Sequence, residues 1–183
     1  MIGSARDRVL RAALDLFGEH GVSGTSLQMI ADELGVTKAA VYHQFPTKDE
    51  IVLAVIDPAL ARLEPIAEAA ERRRTPAARR RVVLAGVVDM VVEYRRLSRV
   101  LSFDPVVSRL VRQHPAMTTV NRLVTLLTGT DPDGATRVDV AMVAGGLVLA
   151  GTENALTDLD DETLRRHLLT TAARTLRVRL SDG

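Results

Sequence analysis

Four side chains within one short stretch have the types and the spacing of a contact face. Lys38, Ala39, Tyr42 and His43 fall at helical intervals, and Lys38 and Tyr42, four apart, share one side of a helix. An ammonium can meet a guanine edge or a phosphate. A methyl can meet thymine, and a phenol can meet a base edge or the backbone. Together they are the chemistry of a major-groove contact. Ser26, Thr37 and Thr47 stand where three helices would begin, and each such N-terminus directs unpaired N–H groups outward, toward any phosphate oxygen. Tyr42 as a core residue is the competing reading, and its shared face with Lys38 weighs against it.

Other chemistries lack their spacing. His20, His43, His114 and His167 are scattered, with no H-x-x-x-H or E-x-x-H, so no metal site is expected. Cysteine is absent, which removes thiolate ligands and a cysteine nucleophile. No G-x-S-x-G occurs. Gly18, Gly21 and Gly24 recur every third residue, which is neither G-x-G-x-x-G nor preceded by a strand. The expectation is a protein that is not an enzyme and holds no cofactor.

The elements that must position these residues all read as helices, so the expected class is all-α. The first helix starts at Ser4 as N-cap, carries Val9, Ala13, Leu16 and Phe17 on one stripe, and stops at Gly21. Ser26 caps Leu27 to Leu34, Gly35 makes a left-handed turn, and Thr37 caps Lys38 to Gln44. Leu34, Val36 and Val41 are expected to close a miniature core, with Phe17 and Phe45 plugging it. Thr47 and Glu50 form a T-x-x-E capping box for a connecting helix that runs from Lys48 into the sixties. Helices from Pro76, Pro105, Pro115, Ala135 and Asp161 follow, about nine in total. Two short helices about a glycine turn are a helix-turn-helix, although turn chemistry alone equally fits a structural helical hairpin.

Charge excludes one mode of binding. The 183 residues hold 24 basic and 23 acidic side chains, net +1. Proteins that hold nucleic acid by bulk charge show a large basic excess. Residues 1–50 are even slightly acidic, with five basic against seven acidic side chains. Yet the two lysines of the chain, Lys38 and Lys48, both lie there. No secretory signal is visible, and the apolar run Val140–Gly151, at ~1.5 Å per residue, is short of a ~30 Å hydrocarbon core. A cytoplasmic protein is expected.

The run G-x-x-x-T-S-L-x-x-I-A-x-x-L-G-V-T-x-x-x-V-Y-x-x-F-P-x-K, from Gly21 to Lys48, resembles the DNA-binding domain of the TetR family of transcriptional regulators. The first helix matches too, and the resemblance covers about the first third of the chain. It implies a DNA-binding domain over 4–63 and a ligand-binding and dimerisation bundle over 64–183. It further implies a homodimer on a pseudo-palindromic operator, more often repressor than activator, whose small-molecule ligand shifts the two reading heads. Carried over by position, Lys38, Ala39, Tyr42 and Gln28 face bases, while Ser26, Thr37, His43 and Lys48 face phosphates. Ala39 departs from the family's frequent glycine or proline, so no relative's operator can be copied. The alternative is a helical small-molecule binder that reads no operator.

Helix phase alone nominates ligand contacts in the second part. Met90, Tyr94, Phe103, Met117 and Asn121 are candidates, with Asp89, Glu93 and Asn154 as polar anchors, each against ordinary core packing. Gly145, Gly146 and Gly151 lie in one apolar helix, where each costs ~1 kcal/mol of propensity. Close helix packing is the return, either within the chain or across a symmetric four-helix dimer face. The last helix offers Leu164, Leu168, Thr171, Ala172, Thr175 and Leu176 to such a face. The arginines of 72–74 and 79–81 read as a solvated face or as auxiliary phosphate contacts.

Overall fold

The computed structural model describes residues 4–101, 103–152 and 156–180. Eleven helices occur among them, and no strand: α1 (Ala5–Gly24), α2 (Leu27–Leu34), α3 (Lys38–Gln44), α4 (Lys48–Ala61), α5 (Leu63–Glu71), α6 (Pro76–Glu93), α7 (Arg95–Leu101), α8 (Pro105–Gln113), α9 (Ala116–Thr128), α10 (Gly134–Thr152) and α11 (Asp161–Thr175). The all-α class stands, with two helices more than expected. One comes from Pro65, which has no N–H for the carbonyl four residues back, so the connecting helix ends at Ala61 and α5 begins at Leu63. The other comes from Tyr94, whose φ of −102° and ψ of 16° close α6 before α7 starts.

The helix starts follow local chemistry. Ser4 and Asp7 form a reciprocal capping box, and Ser26, Thr37 and Thr75 each accept from the backbone N–H three residues on. At Thr47 the expected box is only half made. The Thr47 hydroxyl oxygen accepts from Glu50 N–H at 3.2 Å, but the Glu50 carboxylate takes the hydroxyl proton rather than the cap backbone N–H. Gly21, at φ 71°, breaks the helical path near the end of α1, as its position suggested.

The chain divides into two compact units. The first comprises the described residues up to Pro58 together with Arg99–His114, and the second comprises Ala59–Ser98 with the described residues from Pro115 on. A single boundary at 63/64 therefore does not describe the fold. The segment 99–114 joins the first unit through side chains. Arg109 pairs with Asp49 at 2.8 Å, His114 meets Asp57 at 3.1 Å, and Val100 packs 3.6 Å from where a Gly18 side chain would begin.

The second unit is organised on α6, which buries two sides. Val83 joins Leu63, Ala67, Ala70 and Leu123 of α5 and α9. Leu84, Val88 and Val92 join Leu147, Leu164, Ala172 and Ala173 of α10 and α11. Ion pairs flank these cores. Arg122 of α9 holds Glu64 in a two-pronged grip at 2.8 and 3.3 Å and meets Glu71 at 2.8 Å. Hydrogen bonds from Arg122 and Thr119 hold the Glu64 carboxyl below its ordinary value. A depressed carboxyl stabilises the fold above its unfolded pKa and loses that contribution as pH falls. Glu64→Gln should therefore lower the urea midpoint at pH 7, and the difference from the parent should shrink below pH ~4. At α6, a Cβ on Gly86 would lie 2.8 Å from both Cγ atoms of Ile66. Gly86→Ala should destabilise by about 1 kcal/mol or more in urea unfolding, despite its better helix propensity.

Candidate nucleic-acid interface

The first unit is a small core with a reading surface on it. Phe17, Phe45, Ile30, Ile51, Val22, Val41 and Val52 are fully buried there, and Ala31 fills the close approach of α2 and α3. Both phenylalanine plugs are where the sequence placed them. Val36 is not, since it stays 37% exposed beside the turn instead of closing the core. Gly35 makes that turn at φ 63° and ψ 34°, and its N–H bonds Ala31 and Asp32 carbonyls.

With Val41 turned inward, the other side of α3 carries Lys38, Ala39, Tyr42 and His43, all exposed, around a shallow concavity. Tyr42 is 56% exposed, so the core reading of that residue fails. Ser26 and Thr37 spend their oxygens as acceptors for Met29 and Ala40 N–H, which leaves each hydroxyl proton for a phosphate. The first amides of α2 and α3 lack intrahelical partners and point the same way as their caps. Gln28 is exposed on α2, and its amide nitrogen donates to Asp32 at 2.7 Å.

Lys48 is the exception, and its expected phosphate contact is corrected. Its ammonium donates to the carbonyls of Val22 at 2.6 Å, Thr25 at 2.8 Å and Ser23 at 3.3 Å. Three protons meet three acceptors, so nothing remains for a phosphate without breaking the loop. Lys48 ties the α1–α2 connection to the start of α4. Beside it, the hydroxyl of buried Thr25 reaches the carbonyls of Gly21 at 2.8 Å and Leu16 at 3.2 Å.

Arg6 was not singled out in the sequence. It donates to the Gln44 carbonyl at 3.1 Å, and its guanidinium lies 4.0 Å over the Phe45 ring. It thereby satisfies the C-terminal end of α3 from α1. No local signal marks it, because its partner is 38 residues away.

The ligand candidates differ in burial and surroundings. Met90 packs against the α5–α9 core, and Tyr94 closes α6 half-buried. Met117 is half-buried and Asn121 exposed on α9, while Phe103 belongs to the first unit and is 68% exposed. Asn154 lies outside the described residues. Asp89 and Glu93 are taken by Arg165 and Arg62. Among the described residues, no group of three histidine, aspartate or glutamate side chains is placed to hold a metal ion.

A helix-turn-helix with a clear outer face, followed by a helical bundle, defines a class of DNA-binding regulators. Comparison with known proteins shows what the domain and the fold are similar to. Residues 9–55 match the family model described as bacterial regulatory proteins, tetR family. The regulator RutR of Escherichia coli (strain K12) is 36% identical over 55 residues, which are 30% of this chain and 26% of RutR. The stretch matched thus spans about a quarter of that relative. Among solved structures, Mycobacterium smegmatis AmtR superposes with a TM-score of 0.72 at 21% identity, covering 100% of this chain and 89% of that one. FadR of Bacillus subtilis, solved in complex with stearoyl-CoA, gives 0.63 at 16% identity, covering 96% and 99%. Residues 9–55 thus match the DNA-binding domain of the tetR family, and the fold is shared along the length of the chain with these solved structures.

Two substitutions separate the surface from its support. Tyr42→Ala should weaken DNA binding at least tenfold and leave the melting temperature unchanged, as measured by fluorescence anisotropy and calorimetry. Lys48→Met should do the converse. It should lower stability by about 2 kcal/mol, through three lost charge-assisted hydrogen bonds, while the salt slope of DNA binding stays as in the parent.

Proposed function

We propose that this protein is a ligand-responsive transcriptional repressor, acting in the cytoplasm as a homodimer on a pseudo-palindromic operator. The observation that carries the reading is the α3 face. Lys38, Ala39, Tyr42 and His43 stand exposed on a short helix anchored from its other side by buried Val41, in a domain that matches the family model. Lys38, Ala39, Tyr42 and Gln28 read bases. Ser26, Thr37 and His43 hold phosphates, and Lys48 acts from behind them. The contacts are few and local, which suits a unit with no bulk basic charge.

The dimer face is α10 with α11. Val138, Met142, Val148 and Leu149 of α10 are at least half exposed, and a Cβ on Gly145 or Gly146 would meet nothing within 4 Å. These two glycines therefore serve no packing within the chain. Gly151 does, since its Cβ would lie 3.3 Å from Ser98. A groove of about 280 Å³ beside Gly146 is lined by Met142, Val143 and Leu147 of α10 and by Leu168, Thr171 and Thr175 of α11. A helix from a second copy, approaching on the glycines, would fill it. By length and mean hydropathy α10 could also cross a membrane. Its burial of Leu147 against α6 and α11 favours the protein partner.

The effector binds in the second unit and is largely apolar, as is the stearoyl chain of the stearoyl-CoA held by FadR. An effector that weakens operator binding is, by linkage, bound more weakly by the operator complex.

A gel shift on DNA flanking the protein's own coding region tests the reading. A band that resists excess unrelated DNA is expected. Retardation abolished by unrelated DNA would leave a ligand binder that reads no operator. Gly146→Glu and Met142→Glu should each give a monomer in sedimentation, with unchanged helix content and operator affinity lowered at least a hundredfold. A dimer that survives both changes would move the interface elsewhere.

A further inference from the structure

The reading surface is rich in donors and poor in acceptors. Lys38 offers only N–H groups, and Ser26 and Thr37 have already committed their oxygens as caps. Base recognition in the major groove needs acceptors as well, because cytosine and adenine present amino groups there. Besides the Tyr42 phenol and the His43 ring on α3, the acceptors of this surface lie on α2. Asp32 faces Gln28 one turn away, and the Gln28 amide nitrogen donates to Asp32 Oδ1 at 2.7 Å.

That hydrogen bond decides which end of the amide is free. An ionised carboxylate only accepts, so the Gln28 nitrogen must be the end turned toward Asp32. The Gln28 Oε1 is then turned away from Asp32 toward a base, with the second amide N–H beside it. Both side chains are exposed. An unrestrained glutamine can present either end and so accept any base. A restrained one cannot.

We propose that Asp32 is a positioning residue for base recognition. By holding the Gln28 amide with its oxygen outward, it makes α2 select an amino-bearing base, cytosine or adenine, on the strand it faces. The guanine O6 and N7 and the thymine O4 are acceptors, so they offer no donor to the outward amide oxygen and gain less than an amino-bearing base. This inference rests on the DNA-reading function proposed above. A Gln–Asp pair at i, i+4 also stabilises an isolated helix slightly, and the test must read something that such a role would not move.

Operator selection from a library with randomised half-sites supplies that reading, using the full-length protein. The parent should fix cytosine or adenine at one half-site position, by about tenfold over guanine or thymine. Gln28→Ala should flatten that position and leave the others intact. Asp32→Asn should admit guanine or thymine there, with unchanged melting and unchanged preference elsewhere, because an amide no longer dictates the orientation of Gln28. Asp32→Glu, which restores a carboxylate, should restore the preference in part. Guanine or thymine fixed at the Gln28 position in the parent would overturn the proposal, as would a preference that Asp32→Asn leaves untouched. A parent that selects no sequence at all would overturn the DNA-reading function itself, a separate result.

Discussion

A seven-residue helix cannot hold itself. α3 has two turns, well below the ~12 residues at which even good isolated helices become marginal in water. Its fold and its direction must therefore come from outside it. Val41 and Phe45 anchor its inner side in a core with Phe17, Ile30 and Ala31. Thr37 caps its start, and Arg6 satisfies its end. Lys48 keeps the α1–α2 connection against α4, so that α2 and α3 rest on a fixed floor. The exposed face is what remains after these demands are met.

This ordering explains why a nearly neutral chain can have a nucleic-acid face. Of its two lysines, one is on the surface and one is spent within the fold. The ammonium of Lys48 donates to three backbone carbonyls rather than to a phosphate. In the proposed function, attraction comes instead from Lys38, helix amides and hydroxyl protons, which are geometric rather than bulk contributors. Shape and hydrogen bonding, more than net charge, then set the affinity.

What the sequence made legible is what short-range chemistry writes. The bounds of α2 and α3 follow from Ser26, Gly35 and Thr37, each acting within four residues, and the structure places them there. The plugs Phe17 and Phe45 and the exposed Tyr42 follow from helix phase. Pro65 was equally visible, and the break it makes between α4 and α5 was missed because apolar periodicity continues across it. Long-range partners left no trace. Lys48 meets carbonyls 23 to 26 residues back, and Arg109 reaches Asp49 across 60 residues. The latter pairing places 99–114 with the first unit, against any division by chain order. Ligand residues were the least legible, because an apolar residue on a buried helix side has the same pattern whether it lines a cavity or fills a core. The polar anchors Asp89 and Glu93 proved to be ion-paired.

The central claim is that two such faces, related by a twofold axis, read one operator together. Hydroxyl-radical footprinting of the full-length protein on a bound DNA fragment tests it most directly. The account predicts two symmetric sets of protected sugars, with major-groove centres one helical turn apart, about 34–36 Å, or slightly more. A single asymmetric patch, no wider than one half-site and unchanged as protein concentration rises, would contradict it.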